Sequence, residues 1–370
     1  MLEHNFAGPA FTIGIEEELM LLEESGLGLA QGIETILESV PTELEGQVKP
    51  ELMQSVLEIA TTPCPDVRTA GEQLRTLRHA VSEIAESHGM LVGAAGTHPF
   101  ALFEDQEIVE RTRYRELIAE LGYVARQELI FGTHVHVGID DAEKAIYIAD
   151  MMRGYLPLLL GMSSNSPLWR GRTTGMMSSR TPVFRAFPRV GVPPYYGSWE
   201  IYSHRVEQMM RGGAIPDYTY LWWDVRPHPN LGTVELRVFD QQTRLEHTLG
   251  FAALSQALVH RLADNYDDGV PSVEHPWELI DDNKVRAAMV GIEGKLIDFE
   301  RGFEVPGAEM VRGVVAELTE HAQELGCEAE LNGLLDLVDH GTGARRQLNW
   351  LESHGGVDGL MREVVDASEP

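Results

Sequence analysis

Alternation of apolar and polar residues predicts several short β-strands in the first half of the chain. Residues 11–22 (FTIGIEEELMLL) alternate in this way before a turn, and residues 91–96 form a second short apolar run. Residues 130–139 (IFGTHVHVGI) also alternate. Because side chains point to opposite faces at every second position of a strand, His134 and His136 are expected on one face and the apolar residues on the other.

Two further segments resemble the strands of a β-hairpin. They are residues 218–225 and residues 233–239, which lie seven residues apart. In the second segment Glu235 and Arg237 alternate with valine and leucine. These two ionisable side chains are therefore predicted to share a face of the sheet.

A spacing of three and four between apolar residues predicts helices, and it is clearest over residues 67–84. Asp66 precedes this segment as its expected cap. A second helix is expected to begin at Asp140 with a capping box and to run to about residue 154, with Pro157 kinking or ending it. Further helices are predicted over residues 113–126, 245–263 and 308–325.

This order of elements predicts the fold class. Strands dominate the middle of the chain and helices its last third, which favours an α+β fold with an antiparallel sheet. The 370 residues contain no internal repeat, low-complexity tract or flexible linker. We therefore expect one domain that spans residues 1–370.

Composition narrows the classes of partner. With 29 Lys and Arg against 58 Asp and Glu, the formal charge is −29, which argues against a nucleic-acid partner. The longest strongly apolar stretch, residues 155–162, is much shorter than the ~20 residues of a membrane span, and the first residues do not resemble a signal peptide. Two cysteines, Cys64 and Cys327, make no disulfide framework. A cytoplasmic protein without a membrane partner is expected.

The first candidate chemistry is a set of ionisable residues at period two on short, otherwise apolar strands. The pairs are Glu16 with Glu18, His134 with His136, and Glu235 with Arg237. Each pair alone is typical of a solvated sheet face. Together the acids would repel one another unless a cation neutralised them. An oxygen-rich site with histidine suits Mg²⁺ or Mn²⁺, which often hold phosphate groups as well.

Three questions remain open on these residues alone: the direction of Glu51, the identity of the metal, and whether the protein is an enzyme. The side chains of Glu51 and Glu58 lie on one side if their segment is helical. If the chain is extended after Gln54, only the direction of the Glu58 side chain is predicted. His134 and His136 also match a zinc ligand pair, which would suit a metal-dependent amidohydrolase that needs no ATP. A third possibility is a binding protein without enzymatic activity.

A central segment concentrates positive charge in this acidic chain. Residues 162–188 contain Arg170, Arg172, Arg180 and Arg185 among serines, threonines and glycines. Arginine forks bind carboxylates and phosphates through two hydrogen bonds, so the segment predicts an anion site. Asp224 and Arg226 add an acid–arginine pair near the predicted hairpin. No P-loop motif is present, so any ATP must be bound in another way.

Six motifs, taken in order, resemble one known family. They are GIEEELMLL at Gly14, ELMQSVLEIATTPCPD at Glu51, GTHVHVGI at Gly132, SSNSPLWRGRTTGMMSSR at Ser163, WWDVRP at Trp222 and GTVELRVFD at Gly232. This set is similar to the glutamate–cysteine ligase type 2 family, in particular its YbdK-like carboxylate–amine ligases. The resemblance extends over essentially the whole chain.

The resemblance implies a glutamine-synthetase-like fold, in which an antiparallel sheet flanked by helices forms a funnel around ATP and Mg²⁺ or Mn²⁺. It also implies ATP-dependent joining of a carboxylate to an amine through an acyl phosphate. The implied substrates are glutamate or a related amino acid and an amine such as cysteine. A homodimer is implied as well.

The same resemblance implies roles for individual residues. The metal ligands would be Glu16, Glu18, Glu51, Glu58, His134 and Glu235. Arg237 would lie near the transferred phosphoryl group and Arg180 would hold the acid substrate or phosphates, so the catalytic set is Arg237, Glu58 and Arg180. The remaining ATP- and substrate-binding residues would be Arg226, His136, Asp224, Ser178 and Arg172.

The chain departs from the family pattern at two places. Met289, Val290 and Gly291 stand where the subfamily commonly has Arg-Tyr-Gly, so an arginine contact is expected to be missing there. Glu17 lies between the two first-strand acids, where the longer bacterial ligases carry arginine.

Overall fold

The computed structural model describes all 370 residues. The strands are β1 (Ile13–Glu23), β2 (Val48–Pro50), β3 (Val56–Ala60), β4 (Met90–Gly93), β5 (Gly132–Gly138), β6 (Leu168–Trp169), β7 (Arg172–Thr173), β8 (Val190–Gly191), β9 (Trp222–Trp223), β10 (Val225–His228), β11 (Thr233–Asp240), β12 (Lys295–Asp298) and β13 (Phe303–Pro306). The helices are α1 (Ile33–Ser39), α2 (Val67–Ser87), α3 (Thr112–Leu121), α4 (Tyr123–Arg126), α5 (Ala142–Met152), α6 (Leu156–Ser163), α7 (Arg180–Phe184), α8 (Trp199–Arg211), α9 (Leu245–Asp267), α10 (Trp277–Val290), α11 (Gly307–Glu324), α12 (Glu328–Gly333), α13 (Asp336–His340), α14 (Gly343–Ser353) and α15 (Val357–Ser368).

The main sheet is antiparallel and is organised around β1. Its strand order is β10-β11-β5-β1-β3-β2, and β4 pairs with the second half of β1. The first half of β1 pairs with β5 on one side and β3 on the other, which sets Glu16 opposite His134 and Glu18 opposite Glu58. The predicted α+β fold with an antiparallel sheet is confirmed.

The two faces of β1 have different environments. Ile13, Ile15 and Glu17 are buried on the face that helices α2 and α9 cover. Glu16 and Glu18 alternate with them and point to the opposite face, where they keep partial exposure. Period-two alternation therefore separates an apolar, helix-covered face from a polar face.

Glu17 is an acid on the apolar face, and it is neutralised there. Arg78 of α2 donates from Nε to Glu17 Oε2 (2.8 Å) and from Nη2 to Oε1 (2.6 Å). Thr248 of α9 donates a further hydrogen bond of 2.6 Å. Burial alone would raise the pKa of Glu17, but the charge and hydrogen bonds of Arg78 outweigh it and hold this pKa below its ordinary value. The ion pair ties the sheet to both helices.

Replacing Arg78 with methionine is expected to destabilise the protein by about 3–5 kcal/mol, because it leaves the carboxylate of Glu17 buried without a counter-charge. Urea unfolding followed by circular dichroism measures this. Arg75→Met on the exposed side of the same helix is the control and should change the unfolding free energy by less than about 0.5 kcal/mol. Equal stabilities of the two variants would contradict the role given to Arg78.

Several predicted strands and helices have the expected places. Residues 11–22 and 130–139 contain β1 and β5, and residues 91–96 overlap the shorter β4. Helix α2 begins after Asp66, whose carboxylate accepts a hydrogen bond of 2.7 Å from the amide of Thr69. The predicted helix over residues 113–126 is present but divided into α3 and α4, because Gly122 adopts a positive φ of 55°.

The helix predicted from Asp140 begins differently. Its cap is Asp141, whose carboxylate accepts from the amide of Lys144 (2.8 Å). The carboxylate of Glu143 accepts from the amide of Trp199 (3.0 Å) and so closes no capping box. The helix ends at Met152, and Pro157 lies in the first turn of α6, where a proline is well tolerated, so Pro157 neither kinks nor ends α5.

The predicted hairpin has a different first strand. Residues Tyr218–Tyr220 form a 3-10 turn capped by Asp217, whose carboxylate accepts from the amide of Thr219 at 2.7 Å. Strand β9 pairs in parallel with β8 and not with β11, whereas β10, which begins at Val225, pairs with β11. The prediction of a strand over residues 218–225 was therefore wrong, whereas the strand over 233–239 is confirmed as β11.

The remaining differences concern shorter elements. Glu51 follows β2 in a non-helical segment and Glu58 lies on β3, so the helical alternative for this stretch was wrong. The sequence did not predict three two-stranded sheets, which are β6 with β7, β8 with β9 and β12 with β13. Among the fifteen helices, none combines the length and the apolar character needed to span a membrane.

Candidate active site

Polar side chains converge on the face of the sheet opposite α2 and α9. They line a cavity of about 360 Å³, which we call the cup. Its acidic and imidazole residues are Glu16, Glu18, Glu51, Glu58, Glu128, His134 and His228. Its basic residues include Lys49, Arg226 and Arg237. Five of the six predicted metal ligands therefore line one cavity, although they come from four separate segments.

The Glu16 end of the cup adjoins His136 and Glu235, which lie outside its lining, and the three side chains present donor atoms of a kind that binds divalent ions. Glu16 Oε1 lies 3.8 Å from His136 Nε2, and Glu235 Oε1 lies 3.9 Å from the same nitrogen. Thr233 Oγ1 contacts His136 Nδ1 at 3.0 Å and fixes the ring. His136 Nε2 is buried and has no hydrogen-bond partner. Burial alone would lower the pKa of His136, but the charge of Glu235 and the contact with Glu16 raise it, so a divalent ion bound by these three side chains would replace a proton on this nitrogen.

The other end of the cup gathers carboxylates. Lys49 Nζ donates to Glu58 Oε1 at 2.9 Å, and the amide of Gly132 donates to Glu18. Burial raises the pKa of Glu18 to about 7, and the nearby Glu58 contributes to the increase. Burial and neighbouring carboxylates also raise the pKa of Glu58 and, more strongly, of Glu51. These acids carry more potential negative charge than Lys49 balances, so a divalent ion would stabilise their ionised forms.

His134 connects the two ends of the cup. Its Nδ1 lies 3.2 Å from Glu16 Oε2, and its Nε2 lies 4.0 Å from Glu18 Oε1. Burial, assisted by the charge of Arg237, lowers the pKa of His134 to about 4. Near neutral pH the imidazole is therefore uncharged and retains a nitrogen lone pair, which a metal ligand requires.

Glu235 supports two arginines at the edge of the cup. Arg226 donates to it from Nε (2.6 Å) and Nη2 (3.3 Å), and Arg237 Nη1 donates to Oε1. Burial alone would raise the pKa of Glu235, but the charges of Arg226 and Arg237 hold it well below its ordinary value. Glu235 is therefore ionised and already paired, which makes it a weaker metal donor than Glu16.

Arg237 lies at an irregularity of β11. The register of β11 against β5 shifts between Leu236 and Phe239, and the Arg237 amide donates to the carbonyl of Asp224 (2.7 Å). Arg237 still shares the face of Glu235, as the period-two alternation predicts, because its Nη1 donates to Glu235 Oε1. Arg237 Nε is buried without a hydrogen-bond partner.

Arg180 faces the same place from α7. Its Nη2 donates to the carbonyl of Arg237 (3.3 Å), whereas its Nε is buried and unpartnered. Arg180 and Arg237 both line a small recess with Glu18 and Glu128. Two buried guanidinium groups with free N–H donors favour an anionic ligand beside the carboxylates.

The other predicted binding residues lie around the cup or away from it. Asp224 pairs with Lys284 in an adjoining pocket of about 190 Å³ that also contains Arg180. Ser178 is fully buried, and its hydroxyl donates to Asp240 (2.9 Å). Arg172 is exposed on β7 and lines neither the cup nor the pocket. Ser178 thus supports the surrounding structure, and Arg172 has no contact with the cup.

The central arginine segment contributes Arg180 to the recess beside the cup, and both Arg180 and Arg185 to the lining of the adjoining pocket. Arg170 pairs with Glu104 (2.8 Å) and Arg185 with Asp281 (2.7 Å), and both arginines are largely exposed. Only Arg180 enters the cup region. Local charge identified the segment, but it did not indicate which arginine points inward.

Sequence reasoning missed Glu128. It lies between α4 and β5, where no periodic pattern sets the direction of its side chain. Burial raises its pKa to about 8, and the charge of Glu18 adds to the effect. Its position four residues before Gly132 in the histidine motif was the only available signal.

Glu128 predicts a pH dependence of stability in the metal-free protein. The unfolded chain releases this proton near pH 4.5, whereas the folded protein retains it to about pH 8. Stability from this group is therefore complete below pH 4.5 and is lost as the pH rises toward 8. Glu128→Gln should stabilise the protein more at about pH 9 than at about pH 6. Thermal unfolding at both values measures this.

Glu116→Gln provides the control, because Glu116 is exposed on the neighbouring α3. This variant should show the same pH dependence as the original protein. A Glu128→Gln protein that also keeps that dependence unchanged would contradict the burial of an acid at this place.

Comparisons with known proteins identify the family of this chain. Residues 12–366 match the model of a family described as glutamate–cysteine ligase family 2. A protein of Rubrobacter xylanophilus, provisionally assigned as glutamate–cysteine ligase 2-1, is 40% identical over 369 residues, which cover 100% of this chain and 98% of the relative. A Sorangium cellulosum protein with a similar provisional assignment is 40% identical over 363 residues, covering 95% of this chain and 96% of that protein.

A solved structure has a similar fold. The glutamate–cysteine ligase of Francisella tularensis, in complex with AMP, superposes with a TM-score of 0.74 at 14% identity, covering 99% of this chain and 90% of that chain. At this identity the likeness concerns the fold alone. It extends over the whole chain.

Proposed function

The chain belongs to glutamate–cysteine ligase family 2, a family of ATP-dependent carboxylate–amine ligases, and we propose that the cup activates an amino-acid carboxylate as an acyl phosphate. The proposed acid substrate is glutamate or a related amino acid, and the proposed acceptor is an amine such as cysteine. The observation that carries this proposal is the pair of unpartnered guanidinium nitrogens, Arg180 Nε and Arg237 Nε, beside a group of carboxylates.

The reaction needs an arrangement of this kind. A carboxylate is a poor electrophile. In the first step one of its oxygen atoms attacks the γ-phosphorus of ATP, ADP leaves, and an acyl phosphate forms. The amine nitrogen then attacks the carbonyl carbon of the acyl phosphate, inorganic phosphate leaves, and the amine loses a proton. Both steps bring several anionic groups together, so catalysis depends mainly on positioning and charge neutralisation.

We assign divalent-ion binding to the acidic side of the cup. Glu16, Glu18, Glu51, Glu58, His134 and His136 would hold Mg²⁺ or Mn²⁺, and the free His136 Nε2 supports this assignment. Such ions neutralise phosphate oxygens and orient the phosphate chain. Glu235 has a different main role in this proposal: its ion pairs with Arg226 and Arg237 hold the guanidinium of Arg237 in place.

The arginines would contact the reacting groups. Arg237 and Arg180 would donate to the transferred phosphoryl group, where charge spreads over the equatorial oxygens. Arg180 lines both the recess beside the cup and the adjoining pocket. A substrate carboxylate bound to Arg180 would therefore lie at the boundary between these two cavities. We therefore assign the amino-acid substrate to the adjoining pocket, with Asp224 and Lys284 as its charged wall.

An activity assay tests this function. Purified protein with ATP, Mg²⁺, glutamate and cysteine should release ADP and form a dipeptide that mass spectrometry identifies, and omission of either amino acid should reduce ADP release. A panel of other acids and amines identifies the substrates if this pair reacts slowly. Amide hydrolysis that needs no ATP would favour the amidohydrolase alternative and contradict the proposal.

Assembly and location are further parts of the proposal. We infer a cytoplasmic homodimer from the family resemblance and from the two cysteines, Cys64 and Cys327, which are free and buried. Light scattering after size-exclusion chromatography measures the mass of the assembly.

A further inference from the structure

A second cluster of potential metal ligands lies on the helix-covered side of the sheet. His260 and Asp264 are one turn apart on α9, and His321 lies on the adjacent α11. None of the three lines the cup or the adjoining pocket. This cluster is therefore separate from the proposed catalytic machinery.

The donor atoms of this cluster form a compact triangle. The Nδ1 atoms of His260 and His321 are 3.0 Å apart, and Asp264 Oδ2 lies 3.5 Å from each of them. A tetrahedral zinc ion with bonds of about 2.0–2.1 Å requires its ligand atoms to be about 3.3–3.5 Å apart. The observed separations are close to that requirement, so little rearrangement is needed to bind an ion.

The surroundings hold these side chains in place. The His260 ring packs against Phe11, with ring centroids 4.7 Å apart, and Glu324 Oε2 lies 3.8 Å from His260 Nε2. A carboxylate near the second nitrogen of a metal-binding histidine commonly orients the ring. The histidine side chains are mostly buried, 15% and 21% exposed, whereas Asp264 is 52% exposed, so an ion can reach the cluster from solvent.

The ligand set selects a class of metal. Two imidazoles and one carboxylate suit zinc and related late first-row ions, whereas Mg²⁺ and Ca²⁺ prefer oxygen donors. We propose that His260, Asp264 and His321 bind one Zn²⁺ ion, which joins α9 to α11 and leaves a fourth position for water. Since an ion that binds the folded state alone raises its stability, this zinc site stabilises the helical layer behind the sheet.

Zinc titration of the full-length, metal-stripped protein tests this site. The titration is done with excess Mg²⁺, which limits zinc binding in the cup, and is followed by calorimetry. His321→Gln and Asp264→Asn should each lose one zinc equivalent or weaken that equivalent by about 100-fold or more. His79→Gln is the control, because His79 is exposed on α2 beside Glu83, and it should bind zinc like the original protein.

Two additional measurements separate a metal site from a hydrogen-bonded histidine pair. Zn²⁺ should raise the melting temperature of the original protein and of His79→Gln, but not that of His321→Gln. Co²⁺ should give the intense visible absorption of a four-coordinate ion, and His321→Gln should lose it. If His321→Gln does not fold, the half-exposed Asp264→Asn decides both tests.

Equal zinc stoichiometry and affinity in the original protein, His321→Gln and Asp264→Asn would overturn the proposal. Failure of the folded original protein to bind zinc with excess Mg²⁺ present would overturn it as well. Neither result depends on whether the cup catalyses ligation.

Discussion

Replacing Arg237 with lysine is expected to lower kcat for ATP-dependent ligation by about three orders of magnitude, the size of effect seen when an arginine that stabilises a transferring phosphoryl group is removed. Lysine keeps the positive charge but has a single nitrogen, so it cannot contact Glu235 and the transferred phosphoryl group with separate nitrogen atoms as arginine can. Arg226 retains its paired hydrogen bonds to Glu235. The fold should therefore persist, and circular dichroism should be unchanged.

Steady-state kinetics with saturating ATP and substrates measure this effect. Arg170→Lys is the matched control, because Arg170 forms an exposed ion pair with Glu104 outside the cup. It should keep the kcat of the original protein. An Arg237→Lys protein that retains more than about a tenth of the original kcat would contradict a direct role for this guanidinium.

Replacing Glu58 with glutamine is expected to lower Mg²⁺-dependent ADP release by at least about 100-fold while leaving the fold intact. The substitution removes a negative charge opposite Glu18 on the neighbouring strand. Because burial raises the pKa of Glu58, the metal-free protein should tolerate a neutral side chain there and keep or increase its melting temperature. The remaining activity should need a higher Mg²⁺ concentration.

ADP release measured over a range of Mg²⁺ concentrations tests this prediction. Glu34→Gln is the control, since Glu34 forms an exposed ion pair with Arg111 and lies outside the cup. It should leave both the rate and the Mg²⁺ dependence unchanged. Near-normal turnover of Glu58→Gln at low Mg²⁺ would show that this carboxylate does not support divalent-ion binding.

The acidic and imidazole faces of the central strands followed from the sequence. Period-two alternation placed Glu16 with Glu18 and His134 with His136, because a strand fixes the direction of each side chain. The antiparallel register then set Glu16 opposite His134. The local sequence pattern was sufficient here because regular strand geometry alone determines on which face each side chain lies.

Other parts of the site depend on structure that a local pattern does not encode. Glu128 projects from the irregular segment between α4 and β5. Arg180 enters the cup region because of the short α7, whereas Arg172, eight residues earlier, is exposed. Tertiary packing decides these directions, so charge and spacing alone did not separate the two arginines.

The two departures from the family pattern have different structural settings. Glu17 points away from the cup and pairs with Arg78 beneath the sheet, so its charge belongs to the core. Met289 and Val290 are partly exposed at the end of α10 and line neither the cup nor the adjoining pocket. Neither departure from the family pattern changes the groups that line the cup.

Transfer of a labelled oxygen tests the central claim most directly. Glutamate carrying ¹⁸O in its side-chain carboxylate is incubated with the protein, ATP, Mg²⁺ and cysteine, and the released phosphate is analysed by mass spectrometry. If the cup forms an acyl phosphate, each phosphate released by ligation carries one oxygen from the carboxylate. Unlabelled phosphate accompanying dipeptide formation would contradict that activation step.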